Sequence, residues 1–248
     1  MKRNLFLKIA AIGFTLLFTF SATSCATPAS NHSTEYDILV DFDDGGYSTE
    51  FFTANGYGNG GMFDCTWRNS CAVVDNGVLS LTARKAGGGY EGAEFRSKPY
   101  YSYGYYAVRM KAADCPGVVS SFFLYTNRPV WDEIDIEFLG KDVTKVQFNY
   151  YTNGEGGHEY LYDLKFDASK EFHEYGFYWN EKYIEWYVDG KSVYKATKDI
   201  PTHPAQLMAN VWNGKGDSFI TWAGKLDESK LPATAEYDFM GYRPEENA

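Results

Sequence analysis

The chain has few bases for its acids, few histidines and no close cysteine pair, and each shortage removes a class of function. Its 23 Lys and Arg face 33 Asp and Glu, giving a net charge of −10 and an isoelectric point near 4.9. A polyphosphate partner needs a basic face, so no nucleic-acid partner is expected. A neutral polymer is compatible with an acidic surface. The four histidines, His32, His158, His173 and His203, are scattered and there is no C-x-x-C pair, so a zinc site is not expected. No Gly-x4-Gly-Lys-Ser/Thr stretch is present to cradle a phosphate. The apolar-rich run Ile9–Phe20 is well short of the roughly 20 residues that span a bilayer.

That run is instead the middle of an export signal. Lys2, Arg3 and Lys8 precede it and the small residues Ser21–Ser24 follow, so residues 1–25 are read as a signal peptide. Ala22-Thr-Ser-Cys25 resembles a lipoprotein box, which predicts a lipid anchor at Cys25. Ser24-Cys-Ala26 is alternatively an ordinary small-x-small cleavage site. Both readings place the protein outside the cytoplasm, secreted or as a cell-surface lipoprotein. Residues 26–35 are rich in Ser, Thr, Asn and Pro and read as a flexible tether. No second composition shift and no internal repeat follows, so 36–248 is expected to be one domain, and the protein a monomer. Beyond Cys25 the cysteines are Cys65, Cys71 and Cys115, an odd number that leaves at least one unpaired within the chain. Cys65 and Cys71 are candidates for closing a small loop.

Aromatics make up 18% of the chain, with 21 Tyr and 18 Phe, beside 24 Gly. That mixture favours strands and turns over helices, and ring faces also stack on the apolar faces of pyranoses. Tyr175–Trp179 and Tyr183–Val188 read as strands, and Asp189-Gly190 supplies a tight turn into Ser192–Tyr194. Asn76-Gly77 does the same before Val78–Leu81. The glycine-rich stretches 56–61, 87–92 and 154–157 read as loops, and only short windows such as Asp227–Lys230 suit a helix. Short strands separated by turns predict an all-β fold, a two-sheet antiparallel jelly-roll sandwich with a concave substrate cleft.

One segment concentrates acids: Trp131-Asp-Glu-Ile-Asp-Ile-Glu-Phe138. With a period of two, Glu133, Asp135 and Glu137 share one face and Ile134, Ile136 and Phe138 the other. The apolar face must bury against the second sheet. The acids then crowd the opposite face, which raises at least one pKa, an arrangement a purely structural strand has no reason to carry. A retaining glycosidase needs two carboxyls about 5–5.5 Å apart. Cα atoms four residues apart on a flat strand are about 13 Å apart, so the two Glu side chains must lean together, as a concave sheet encourages. Asp135 between them can hydrogen-bond one and separate their pKa values.

From about Phe51 to Tyr242 the chain resembles the bacterial lichenases, the endo-β-1,3-1,4-glucanases of glycoside hydrolase family sixteen. The resemblance rests on Met62-Phe-Asp-Cys-Thr-Trp67, Tyr103-Gly-Tyr-Tyr106, Val118-Val-Ser-Ser-Phe-Phe123, the acidic strand extended to Lys141, Thr144-Lys-Val-Gln-Phe-Asn149 and Tyr187-Val-Asp-Gly190. It implies Glu133 as nucleophile, Asp135 as its helper and Glu137 as acid/base. It implies mixed-linkage β-glucan as substrate and no cofactor for catalysis. Sugar-binding positions carry over to Tyr57 and Asn59, Glu94 and Arg96, Phe123 and Tyr125. They carry over also to Asn149 and Tyr151, Asn210 and Trp212, and to Trp131 and Trp222. Each pair is spaced i, i+2 and so shares a face wherever its segment is extended; Trp131 has the parity of Glu133.

Two further family features bear on residues of this chain. The resemblance implies a disulfide from the Cys65 position to a cysteine just before Glu94, where this chain has Gly92-Ala93. Cys65 must then pair with Cys71 or Cys115, or stay free. It also implies a structural calcium, with Asp238 and Gly77 at two of its ligand positions. Laminarinases, agarases and carrageenases of the family carry one extra residue between the helper Asp and the second Glu, which makes a β-bulge; none is present here. The alternatives are a xyloglucan- or β-1,3-glucan-active enzyme of the same fold and a non-catalytic glucan-binding lectin, which would not need all three acids.

Overall fold

A computed structural model describes residues 36–245. The signal peptide, Cys25 and the tether assigned above lie outside the described residues. In chain order the strands are β1 (Ile38–Val40), β2 (Phe51–Thr53), β3 (Thr66–Trp67), β4 (Ala72–Asp75), β5 (Val78–Ala86) and β6 (Gly89–Tyr101). Then come β7 (Gly104–Lys111), β8 (Val118–Tyr125), β9 (Glu133–Leu139), β10 (Lys145–Tyr151) and β11 (Tyr160–Asp163). The last are β12 (His173–Trp179), β13 (Ile184–Val188), β14 (Lys191–Ala196), β15 (Ala205–Asn213) and β16 (Ala233–Pro244). One short helix, α1 (Asp217–Ala223), precedes β16.

The hydrogen-bonded order is β11-β10-β9-β8-β15-β6-β5-β16-β7-β12-β13-β14. The β5–β6 hairpin, paired from Arg84–Glu91 to Ala86–Gly89, carries the chain from one layer to the other. The two layers meet through aromatic side chains: Phe138 lies edge-on to Tyr175 at 4.9 Å, and Phe148 stacks on Trp186 at 5.7 Å. Each partner comes from the opposite layer, as the jelly-roll expectation requires. Ile134, Ile136 and Phe138 are buried in this core, and burying side chains of that size stabilises the sandwich by about 1.5–3 kcal/mol each.

The turn chemistry follows the sequence. Asn76 and Gly77 both have positive φ (50° and 77°), as do Asp189 and Gly190 (48° and 72°), the conformation that sends one strand straight back along its neighbour. The side chain of Asn180 accepts from the backbone N–H groups of Lys182 and Tyr183 and shapes the connection into β13. Two expectations are corrected. Within 87–92 only Gly87 and Gly88 form the turn; Gly89 onward belongs to β6. Gly92 is there because of close packing: a Cβ on it would stand 2.7 Å from the carbonyl oxygen of Val211 and 2.9 Å from Sγ of Cys65. The window Asp227–Lys230 holds a 3-10 turn, Glu228–Lys230, whereas the α-helix lies earlier, at Asp217–Ala223.

Candidate active site

Strand β9 pairs with β8 and β10 without a register shift. Glu133, Asp135 and Glu137 stand opposite Tyr125, Phe123 and Ser121 on one side, and Tyr151, Asn149 and Gln147 on the other. All three acids therefore emerge on the outer face of the sheet, over a cleft of about 640 Å³. Asp135 is buried, and Glu133 and Glu137 are half-buried at its sides.

Their surroundings give the three carboxyls different proton affinities. Burial pushes Glu133 up to about 7, against hydrogen bonds from the Trp131 indole and from Asp135 that favour its charged form. Burial drives Asp135 well above the usual carboxylate range; the charges of Glu133 and Glu137 and the hydrogen bond to Glu133 add to this. Asp135 thus keeps its proton and donates it to the Glu133 carboxylate. Burial, then the charge of Glu133, pushes Glu137 up to about 8, while the Gln147 amide acts in the opposite sense. Near neutrality Glu133 is about half ionised, while Asp135 keeps its proton and Glu137 is largely protonated. That is a carboxylate able to ionise beside a carboxyl able to donate a proton.

Trp131 reaches this set from an unexpected direction. It precedes β9 with a φ of 52°, so strand parity does not place it. Its indole N–H donates to Oε2 of Glu133 at 2.6 Å and its ring stacks on Tyr151 at 4.8 Å. The next residue, Asp132, anchors the loop. Its buried carboxylate accepts from the backbone N–H groups of Asn153 (2.8 Å), Thr202 (3.0 Å) and His203 (3.2 Å). Burial alone would raise its pKa, but these bonds and the His203 side chain hold it below the ordinary value.

The other sequence-assigned residues divide by strand. Glu94 and Arg96 on β6, Phe123 and Tyr125 on β8, and Asn210 and Trp212 on β15 line the cleft. Glu94 and Arg96 form an ion pair at 3.1 Å, and Arg96 donates to the Tyr57 hydroxyl at 2.5 Å. Ser121 donates to Oδ1 of Asn210 at 2.7 Å, leaving the Asn210 amide N–H groups for a ligand. Tyr57 and Asn59 line the cleft from a loop rather than a strand, so the pairing rule does not apply to them. Asn59 accepts from the Trp67 indole at 2.8 Å. Asn149 and Tyr151 lie outside the cleft lining but on the same sheet face, directly across from Asp135 and Glu133. The buried Oδ1 of Asn149 has no hydrogen-bond partner.

Trp222 is the exception. It lies on α1, outside that cleft, and lines a second cavity of about 340 Å³ with Gln147, Lys141 and Leu161. Its indole N–H is committed to Gln147. The sequence reading missed Gln147, although it shares strand and parity with Asn149 and Tyr151. It also missed Phe63, which stacks on Trp212 at 3.9 Å and helps line the cleft; no local pattern marks that contact.

Cys65, Cys71 and Cys115 are all buried and free, so neither the small loop nor a replacement for the family disulfide is formed. Gly92 occupies the place beside the Cys65 sulfur. At the implied calcium position, Asp238 is ion-paired with Arg109. Gly77 lies against Asp43, whose pKa is raised by burial and by Asp41, Asp238 and Asp44. Among the described residues no three His, Cys, Asp or Glu side chains are arranged to hold a metal ion.

The comparisons bear on the family of the domain that carries this site. The family model described as Glycosyl hydrolases family 16 matches residues 41–237. A beta-glucanase of Acetivibrio thermocellus is 51% identical over 195 residues, 76% of this chain and 57% of that relative. The chain spans little more than half of that relative's length. A beta-glucanase of Paenibacillus macerans is 45% identical over 246 residues, covering 97% of this chain and 98% of the relative. A crystal structure of a prokaryotic beta-1,3-1,4-glucanase (lichenase) derived from a mouse hindgut metagenome is 49% identical. It has a TM-score of 0.80 and covers 84% of this chain and 99% of its own.

Proposed function

The chain belongs to glycosyl hydrolases family 16, and from that premise we propose that it is an exported endo-glucanase that hydrolyses mixed-linkage β-glucan with retention. It cuts β-1,4 bonds that follow a β-1,3-linked glucose. The observation that carries this reading is the unbroken register of β9 with both neighbours, which keeps Glu133 and Glu137 on one face with no bulge between them. A one-residue insertion would re-aim Glu137 relative to the scissile oxygen.

In the first step a carboxylate oxygen of Glu133 attacks C1 and the C1–O4 bond breaks. The bonding pair leaves with O4, which takes the proton of Glu137. Asp135 keeps its own proton, donating it as a hydrogen bond to Glu133, and steadies the carboxylate that becomes an ester. In the second step water attacks C1, gives its proton to Glu137, and Glu133 leaves as the carboxylate. Two inversions give net retention. No cofactor takes part.

A β-1,3 link bends the glucan, and the aromatic walls formed by Trp131, backed by Tyr151, and by Trp212 suit a bent chain better than straight cellulose. Lichenan, laminarin, carboxymethylcellulose and xyloglucan digested side by side test the proposal. Lichenan is expected to give mainly tri- and tetrasaccharides ending in a β-1,3 link, with the β-anomer first by proton NMR. Faster cutting of laminarin, or an initial α-anomer, overturns it.

Residues 1–25 direct export, and lipidation of Cys25 tethers a monomeric enzyme to the cell surface. Release of a Cys25→Ser variant into the medium supports the anchor; an unmodified Cys25, or a mature start at Ala26 or later, overturns it. A structural calcium at the Gly77 turn follows from the family resemblance, and the excess negative charge that Asp41 and Asp44 place around Asp43 is compatible with it.

A further inference from the structure

Two hydrogen bonds connect Glu137 to helix α1, and the chemistry of the donors fixes their direction. Gln147 stands directly across from Glu137 on β10, with its Nε2 2.9 Å from Oε2 of Glu137. At its other end the Gln147 Oε1 accepts from the Trp222 indole N–H at 3.1 Å. The indole is held by its neighbours, 6.2 Å from the Trp212 ring and edge-on to Phe219 at 5.8 Å. Gln147 itself is 7% exposed, so water does not compete freely for its amide.

An indole nitrogen donates and never accepts. It therefore admits only the carbonyl end of the Gln147 amide, and the NH₂ end must face Glu137. That end cannot accept a hydrogen bond, so Oε2 of Glu137 has to be the accepting oxygen, and the proton of the acid is left to Oε1. We infer that Trp222 and Gln147 are positioning residues for the general acid: the indole locks the amide in one of its two flips, and the amide assigns the transferable proton to Oε1 of Glu137. This rests on the reading of Glu137 as the acid. It gives Trp222 a role beyond the sugar contact that the sequence suggested.

The ring and the N–H of Trp222 can be separated. Trp222→Phe keeps an aromatic face for the second cavity and removes only the donor. The Gln147 amide is then free to turn over, present its carbonyl to Glu137 and hold the proton on Oε2. Loss of a donor to the carboxylate also stabilises the protonated acid. The pH profile of kcat/KM, which reports the first bond cleavage in free enzyme and substrate, should show its alkaline limb moved upward by about half a unit or more. At the optimum, kcat/KM on lichenan should fall roughly tenfold to a hundredfold, a part of the usual contribution of a general acid. On a 2,4-dinitrophenyl mixed-linkage oligosaccharide, whose leaving group needs no proton, it should change less than threefold or so. Gln147→Met should give the same split between substrates, and thermal unfolding checks that both variants fold.

If Trp222 served only as a sugar platform, Trp222→Phe would leave the alkaline limb in place and act equally on both substrates. That result in both variants overturns the inference while leaving the mechanism standing. Near-normal lichenan hydrolysis by Glu137→Gln would instead overturn the acid assignment on which the inference rests.

Discussion

Trp131 and Glu133 share a 2.6 Å hydrogen bond although only Glu133 belongs to β9. The loop holds Trp131 at a positive φ, and Asp132 ties that loop to the backbone of residues 153, 202 and 203. The contact favours the charged form of Glu133, the form a nucleophile needs. Trp131→Phe should keep the stack on Tyr151 and lose the bond. A hydrogen bond to a charged group contributes about 1.5–3 kcal/mol, so the acid limb of the kcat/KM profile should move up by about one to two units. An unmoved limb would show that the indole serves only the sugar.

The wild-type profile itself should be a bell. Activity rises as Glu133 loses its proton near 7 and falls as Glu137 loses its own near 8. The limbs belong to the coupled set of three carboxyls, so Asp135→Asn should shift the acid limb without touching either Glu directly. In Glu137→Gln the alkaline limb should vanish along with most lichenan hydrolysis. Persistence of that limb would assign it to another group.

The same burial has a cost in stability whose sign is fixed. Glu137 ionises near 8 when folded and near 4.5 when unfolded. Below about pH 4.5 both states hold the proton and burial carries no ionic penalty. As pH rises from there through 8 the unfolded chain gains an ionisation that the folded one resists, and folded stability is lost. Glu137→Gln does not titrate, so its melting temperature should exceed that of the wild type little at pH 4.5 and by on the order of 10 °C at pH 8.5. Calorimetry across that range decides it; an equal difference at both pH values would mean the effect is not ionic.

The buried thiols should be silent. Burial raises the pKa of Cys65 to about 12, that of Cys115 to about 11, and that of Cys71 in the same direction. In a Cys25→Ser background an aromatic disulfide reagent at pH 8 should titrate no thiol in the native protein and all three in guanidinium. Fewer than three after denaturation would reveal a disulfide.

Calcium, if it relieves the acids around Asp43, should raise the melting temperature by several degrees, and chelation should reverse the gain. Asp238→Asn should remove the response without reducing kcat. A melting temperature indifferent to both calcium and chelator would dispose of the site.

Much of this protein is legible in the sequence because the relevant patterns are local. Alternation along Glu133–Phe138 separates three acids from three core residues by pleat alone, whatever lies on either side. Asn76-Gly77 and Asp189-Gly190 specify reversals through their own backbone freedom. The odd residues of β10 share a face for the same reason, so Gln147 was within reach once the resemblance had supplied Asn149 and Tyr151. Tertiary structure decided what the pattern of any one segment leaves open. Trp131 meets Glu133 because Asp132 is bonded to residues up to 71 positions away. Trp222 meets Gln147 because a one-off helix folds over Trp212 across 75 positions of chain. Cys65 stays free because a glycine, and not a cysteine, lies beside its sulfur on β6. Facing directions and turns are properties of a few consecutive torsion angles, whereas proton affinities and hydrogen-bond partners depend on which distant groups packing brings within about 3 Å.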